Sequence, residues 1–396
     1  MNKLSETGSK ATPRLNLFIT FTGFLDTHLL IPIIALYAVE LGAGTAMVGL
    51  IVGVYSMTNT PANIIFGKLI DRVGAKVPLI IGLTGDAIAL FCYSLCVFPA
   101  HLILVRVAHG LSGGIVGPAT MSIAAGQSSA GREGRSMAFY GMALAVATLV
   151  GYGLGGVLAS RLGYDVVFYV GSFILVLGIG AALLIPRSNR SGSQGLLSTG
   201  AYWGAMVSLL KRRRLLSSYC SIFAQYFAFG SVVTLLPLYV EDLGMEAFHV
   251  GMLLVIFVGI FLLLQLPSGI LSDRVGRRAP AGIGLCLGIV SLALLPAFEG
   301  LGTLAVVMFL FGVSYALVFP SISAMIADET AVAERGLATG IFHALITAGV
   351  AVGAPLTGWV AEMSGISWGL ALSCGVLAVS FIVVLTAVGR GHGGTY

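Results

Sequence analysis

Runs of about 20 apolar residues, each long enough to cross a hydrocarbon layer ~30 Å thick as a helix, recur almost from end to end of this 396-residue chain. Only 9% of its residues are charged, against about 25% in a soluble domain, and its mean hydropathy is +1.00. Such a chain cannot present an ordinary water-facing surface. Apolar runs read against charged breaks give twelve spans. Those of the first half lie near 15–38, 46–67, 77–98, 101–125, 137–159 and 165–186. Those of the second half lie near 217–240, 247–269, 280–298, 302–326, 337–361 and 367–388. The polar stretch 187–216, with SNRSGSQG and the run Lys211-Arg212-Arg213-Arg214, reads as a linker. The expected fold is an all-α membrane protein of 12 transmembrane helices, with six-helix bundles at 1–186 and 217–396.

One short connection is written twice. Gly67–Lys76 reads GKLIDRVGAK and Gly269–Arg278 reads GILSDRVGRR, identical at six of ten positions with an offset of 202 residues. The same offset relates Leu36, Tyr37, Leu41 and Gly42 to Leu238, Tyr239, Leu243 and Gly244. It also relates Gly110 and Pro118 to Gly312 and Pro320, and Gly151 and Gly156 to Gly353 and Gly358. A repeat at half the chain length marks a duplicated half, a layout common among membrane transporters. The two bundles are therefore expected to be pseudo-symmetric.

Orientation follows from the basic residues. Of 21 Lys and Arg, 19 fall at the N-terminus, the linker, the C-terminus and four short loops on one side. Arg161 lies on the other side and Arg106 within a span. The positive-inside rule makes the first side cytoplasmic, so both termini are expected in the cytoplasm and the chain in the cytoplasmic (inner) membrane. The net charge of +5 reports this loop placement, and no nucleic-acid partner is expected. The linker's basic run is expected to lie against anionic lipid headgroups. Cys92, Cys96, Cys220, Cys286 and Cys374 all lie in apolar runs and read as small buried hydrophobes. No spacing of His, Cys and acids reads as a metal set, and nothing calls for a cofactor. The first fourteen residues are polar with no cleavable signal pattern, so the first span is expected to stay as a membrane helix.

The repeated connection resembles the signature of the major facilitator superfamily, G-x-L-x-D-R-x-G-R/K-R/K. The first copy matches through Gly67, Leu69, Asp71, Arg72, Gly74 and Lys76, with Ala75 at a basic position, and the second through Gly269, Asp273, Arg274, Gly276 and Arg277. The resemblance covers essentially the whole chain. It implies a transporter rather than an enzyme, whose two bundles rock about a central cavity that opens alternately to each side, and a monomer. Asp71 is suited to accept hydrogen bonds from the N–H groups at a neighbouring helix start. Arg72 and Lys76 are suited to pair with acids or carbonyls of the facing half, latching the outward-facing state. Arg132, Glu133 and Arg135, echoed by Glu334 and Arg335, offer further pairs across that seam or form a plain solvated loop.

Charges inside spans cost about 2.5–3.5 kcal/mol each on insertion scales and mark pathways or relays. Asp26, Asp86 and Arg106 are such charges, with His28, His109 and His343 beside them. The repeat serves as a control. At the offset of 202, Asp26 corresponds to Ala228, Asp86 to Gly288, Arg106 to Met308 and His109 to Phe311. The scaffold does not need charge at these places, so Asp26, Arg106, Asp86 and His109 are the expected proton-coupling residues. A carboxyl group in apolar surroundings favours its neutral form, which suits exchange of a proton for substrate. Asp26 is alternatively a fixed counter-ion to Arg106, and Asp86 a buried neutral acid. Arg106 and Gly110 resemble the family's span-4 motif R-x-x-x-G. Gly151, Gly155 and Gly156 meet its antiporter signature in part, with Tyr152 in place of the Pro and Ala147 in place of the first Gly.

The candidates for substrate contact are Tyr55, Asn59 and Asn63 in span 2, Tyr140 in span 5, and Gln225 and Tyr226 in span 7. Tyr315 in span 10 and His343 with Thr347 in span 11 complete them. With many Phe and Met around them they describe a largely apolar pocket with few polar anchors. The reading is a secondary active transporter, resembling the drug:proton antiporters, that exports small lipophilic or amphipathic compounds against protons. Its alternative is a proton-coupled importer or facilitator of a polar metabolite or organic anion. Gly110-Leu111-Ser112-Gly113 matches the G-x-S-G of intramembrane serine proteases, but a twelve-span duplicated plan does not suit that class. No filter-like loop or ring of charges supports a channel.

Overall fold

The repeat is built into the backbone. The computed structural model describes residues 2–126, 133–186, 199–331 and 334–386. Its helices are α1 (Asn2–Leu30), α2 (Ile34–Glu40), α3 (Thr45–Val73), α4 (Lys76–Tyr93), α5 (Pro99–Gly126), α6 (Glu133–Leu162) and α7 (Tyr164–Leu184). There follow α8 (Thr199–Lys211), α9 (Arg213–Asp242), α10 (Ala247–Val275), α11 (Arg278–Leu294), α12 (Leu301–Asp328), α13 (Arg335–Ser364) and α14 (Ile366–Thr386). Among the described residues the glycines with positive φ are Gly42, Gly74, Gly163, Gly244, Gly276 and Gly365. They form three pairs at the offset of 202. Gly74 and Gly276, at φ 84° and 88°, are the second glycines of the repeated connection. They turn the chain from α3 into α4 and from α10 into α11 through a conformation that a Cβ disfavours.

Ten helices of the described residues are long and apolar enough to cross a membrane, and eleven when α1 and α2 count as one span bent by 44° at residues 31–33. The helix that fails the apolarity test is α3, which carries Tyr55, Ser56, Thr58, Asn59, Thr60 and Asn63 within nine residues. Large apolar side chains such as Leu184, Leu263 and Leu266 are more than 70% exposed. Water would penalise such a surface, whereas lipid tails match it.

The helices gather into two compact units, residues 1–195 with 240–255, and residues 196–239 with 256–396. In the first, α1 packs on α6 and α7, α3 and α4 pack on α5, and α4 packs on α7. In the second, α11 packs on α12 and α14, and α13 on α14. Equivalent tyrosines make closely similar contacts, with one acceptor matched at the offset of 202 and the other displaced by one residue. The Tyr37 hydroxyl donates to the carbonyls of Tyr93 and Cys96, and that of Tyr239 to those of Pro296 and Phe298. A Cβ on Gly110 would sit 2.6 Å from the Tyr55 carbonyl oxygen, and one on Gly312 would sit 2.6 Å from that of Phe257, its equivalent. Small residues let the helices approach at both places, as contacts in lipid require.

Of the linker, residues 187–198 lie outside the described residues, and α8 begins at Thr199. The basic run after it does not simply face headgroups. The Arg212 guanidinium grips both carboxylate oxygens of Glu334 at 2.8 and 2.5 Å and donates to the Glu329 carbonyl, while Arg214 pairs with the Glu329 carboxylate at 2.7 Å. Bidentate pairing of this kind is geometrically specific, and it fastens the end of α8 to the connection between α12 and α13. The hydrogen bond from Arg212 holds the Glu334 carboxyl below the ordinary glutamate range.

Gly110→Val should cost about 1–3 kcal/mol through overpacking, lowering the thermal unfolding midpoint in detergent. Gly141→Ala, with open space around the new Cβ, should leave that midpoint unchanged. Because the carboxyl of Glu334 is depressed, its bond to Arg212 is fully present above the usual glutamate pKa of about 4.3 and is lost as pH falls through the lower folded value. Glu334→Gln should therefore raise hydrogen–deuterium exchange in α8 at pH 7, the wild type showing the same loosening only in acid.

Candidate functional site

Four side chains from α1, α4 and α5 meet inside the first unit. Asp26 on α1, Asp86 on α4, and Arg106 and His109 on α5 are each 3% exposed or less. His109 stands between the two acids. Its Nε2 lies 3.1 Å from Asp26 Oδ2 and 4.0 Å from Asp86 Oδ1. Its Nδ1 lies 3.2 Å from the Tyr93 hydroxyl, so both ring nitrogens have partners. Asp26 Oδ1 accepts from the Thr27 backbone N–H at 2.5 Å. Asp86 Oδ1 accepts from the Ser112 hydroxyl, also at 2.5 Å, while Asp86 Oδ2 is buried with no hydrogen-bond partner.

Arg106 takes a different place from that of a simple counter-ion. Among the described residues no ion pair joins it to Asp26. Its Nε donates to the Ile51 carbonyl at 3.2 Å and its guanidinium lies 5.3 Å from the centre of the Tyr55 ring, a cation–π arrangement. The same Tyr55 ring stands edge-on to His109 at 5.1 Å, and its hydroxyl reaches Thr27 Oγ1 at 3.1 Å and Asn59 Nδ2 at 3.5 Å. Asn63 then donates to Asn59 Oδ1 at 2.6 Å. A polar ladder thus runs along the α3 face from Asn63 to the two carboxylates.

The remaining substrate candidates separate by unit. Tyr140 lies in the first, its hydroxyl 3.5 Å from Thr120 Oγ1. In the second, Tyr315 donates to the Gln225 carbonyl at 2.5 Å and Gln225 Nε2 to Ser314 Oγ at 3.2 Å. Tyr226, Phe229, Phe257, Phe261 and Phe311 surround Tyr315 with ring centres 5.0–6.3 Å away. His343 is exposed beside Phe342, without a side-chain hydrogen bond among the described residues. An apolar groove of about 740 Å³ lined by Cys220, Phe223, Trp368 and Val379 contains none of these candidates.

The two copies of the cytoplasmic connection have diverged. In the second, Arg277 pairs with Asp273 and with Asp328, at 3.1 Å from the latter, tying the α10–α11 turn to the end of α12. In the first, the equivalent position is Ala75 and that fork is missing. Lys76 instead donates to the Leu183 carbonyl at 2.7 Å, and Asp71 and Arg72 are exposed without a hydrogen bond among the described residues. Gly67 has open space around it, Gly269 touches only Pro320, and Arg274 is exposed. Arg132 and the side chains of Glu133 and Arg135 lie outside the described residues.

Sequence reasoning missed Tyr93 and the true part of Ser112. Tyr93 lies two turns beyond Asp86 on the same face of α4, and its equivalent in the other half is Leu295. The offset comparison that singled out the acids would have singled out this phenol. Ser112 is matched by Ser314, so its hydroxyl belongs to the shared scaffold, and in this half it is turned to Asp86. The grouping of Asp26, Asp86 and His109, whose ligand-type atoms all lie within 4.8 Å of one another, has no counterpart in spacing. The three residues come from three helices, 60 and 23 positions apart.

The comparisons with known proteins agree with this architecture. The family model for the Major Facilitator Superfamily matches residues 17–262 and 218–393. The chain is 25% identical over 379 residues to the inner membrane transport protein YajR of Escherichia coli, over 92% of this chain and 80% of that protein. It is 27% identical over 327 residues to the multidrug resistance protein MdtG of Dickeya zeae, over 78% and 79% of the two chains. A crystal structure of a mutant nucleoside transporter NupG superposes with a TM-score of 0.81 at 16% identity, over 96% of this chain and 100% of that one, a likeness of fold. Two halves built alike, apolar helices throughout and a family match along almost the whole chain lead to one conclusion: this protein belongs to the Major Facilitator Superfamily and is a multi-pass membrane transporter, not an enzyme.

Proposed function

We propose that the protein is a proton-coupled antiporter that exports small lipophilic or amphipathic compounds by alternating access. The observation that carries this reading is the buried run Asp26–His109–Asp86, with Arg106 behind Tyr55, in one half only. Two carboxylates stand beside one guanidinium and one imidazole, so the centre comes closest to neutral when it holds one extra proton. Loss of that proton leaves a net negative charge away from water, which costs several kcal/mol. The deprotonated centre is therefore stable only when open to water or compensated by a substrate that carries positive charge or donates hydrogen bonds. That dependence is what an exchanger needs, because neither ligand leaves without the other arriving. The aromatic cluster around Tyr315 and the lack of a buried acid in the second half favour a lipophilic substrate. The similarity to MdtG, a multidrug resistance protein, points the same way.

The rest of the reading follows the sequence. Twelve spans, with α3 as the polar twelfth, form bundles at 1–186 and 217–396 joined by the cytoplasmic stretch 187–216. Both termini face the cytoplasm of the inner membrane, and the protein works as a monomer. The repeated connection acts as a pair of unequal cytoplasmic latches, the Arg277 fork being the stronger.

Addition of a lipophilic cationic dye to purified, weakly buffered protein should release about one proton per chain, and Asp26→Asn should abolish that release. His109→Gln should reduce it at least tenfold with the unfolding midpoint preserved. Release that persists in Asp26→Asn would remove Asp26 from the proton path. Cells expressing the chain should accumulate less dye than controls. Higher accumulation would favour uptake instead.

A further inference from the structure

We propose that Asp26, Asp86 and His109 form a binding site for a transition-metal dication such as Zn²⁺ or Co²⁺. This goes beyond the proton reading and does not depend on it. The three donor atoms lie within 4.8 Å of one another and all three residues are buried. A tetrahedral ion with bonds of about 2.0–2.2 Å sets its ligand atoms roughly 3.3–3.6 Å apart. The separations of 3.1 Å from His109 Nε2 to Asp26 and 4.0 Å to Asp86 bracket that span, and the two carboxylates lie within 4.8 Å of each other, so modest side-chain rotations close the site.

Two further observations point to a cation. Asp86 Oδ1 is the oxygen that faces His109, and Oδ2 of the same carboxylate is buried and has no partner, a costly state for a carboxylate oxygen. A bound cation would satisfy it. The second is the support of His109. A ligating imidazole nearly always hydrogen-bonds through its other nitrogen, which fixes the tautomer. Here Nδ1 faces the Tyr93 hydroxyl at 3.2 Å, which would accept from Nδ1–H in the metal-bound form and free Nε2 to ligate. Ser112 supports Asp86 in the same way through its 2.5 Å bond to Oδ1.

Imidazole with two carboxylates suits borderline dications, and the hard-oxygen ions Mg²⁺ and Ca²⁺ prefer six or more oxygens. Three protein donors leave a fourth position open, as in metal sites that exchange a ligand. Tyr55, edge-on to His109 and only half-buried, is the side chain through which that position meets the outside.

The test is a titration of the purified full chain, first treated with chelator, with Co²⁺ followed by its visible d–d absorption. One ion per chain, with the intense band of a four-coordinate site and displacement by Zn²⁺, is expected. Asp86→Asn and His109→Gln should each weaken binding at least tenfold with the unfolding midpoint preserved. X-ray absorption on the wild-type complex needs no variant and should show a nitrogen and oxygen shell containing one imidazole. Absence of the band, equal binding in both variants, or a shell with two imidazoles or with sulfur would overturn the proposal. Dye-triggered proton release from the chelator-treated protein contains no metal. Its failure would sink the antiport reading alone, just as failure of the Co²⁺ titration would sink this one alone.

Discussion

Helices standing in lipid gain little by hiding apolar side chains from their surroundings, so their association rests on how closely backbones can come together. In this protein that constraint is met by glycine at matched places. Gly110 lies against the Tyr55 carbonyl and Gly312 against that of Phe257. Gly82 and Gly284, again 202 residues apart, lie 3.1 and 2.9 Å in Cβ distance from the carbonyls of Ser112 and Ser314. These approaches bring α3, α4 and α5 near enough for side chains as short as Asp86 and Ser112 to touch. Were the contacts made by leucines, the helices would stand too far apart for a carboxylate on α4 to come within 4.0 Å of an imidazole on α5.

Much of this was legible in the sequence because it is periodic or repeated. The helical fold follows from apolar runs with almost no charge, and the duplicated plan from GKLIDRVGAK and its echo. The offset also singled out Asp26, Asp86, Arg106 and His109, which all lose their charge or ring nitrogen in the other half and which the structure buries together. What it could not give was which of the four touch. Pairing Asp26 with Arg106 is what opposite charge suggests, yet the neighbour of Asp26 is His109, and Arg106 is turned to a carbonyl and a tyrosine ring. Rotation of a helix about its own axis decides such matters, and a helix apolar on nearly every side carries little record of it. The span count has a related cause. The face of α3 that carries Tyr55, Asn59 and Asn63 lowers its apolarity below what a lipid-facing helix shows.

The two copies of the cytoplasmic connection teach the same lesson on a smaller scale. Ala75 looked like a minor departure from a family pattern. In the other copy the equivalent residue, Arg277, is the one that reaches two acids, so with a methyl group in place of a guanidinium the first connection has, among the described residues, the Lys76 bond to Leu183 as its one side-chain hydrogen bond. Likewise the linker's basic run, read as a headgroup contact, spends Arg212 and Arg214 on Glu334 and Glu329. Apart from Asp273, four residues before Arg277, the partners lie from 51 to 122 residues away, beyond the reach of any local pattern.

Ser112 and Ser314 occupy the same station in the two halves, one facing a carboxylate and the other the Gln225 amide. The duplicated framework therefore keeps a hydroxyl and leaves its companion free to drift between ionic and neutral chemistry. Gly288 stands where the first half has Asp86, and a Cβ there would come 3.0 Å from Ser314 Oγ. Every glycine codon is one base from a codon for aspartate or glutamate. A lineage carrying this gene is thus a single point change from trying a second acidic centre, with the hydrogen-bond donor for it already installed.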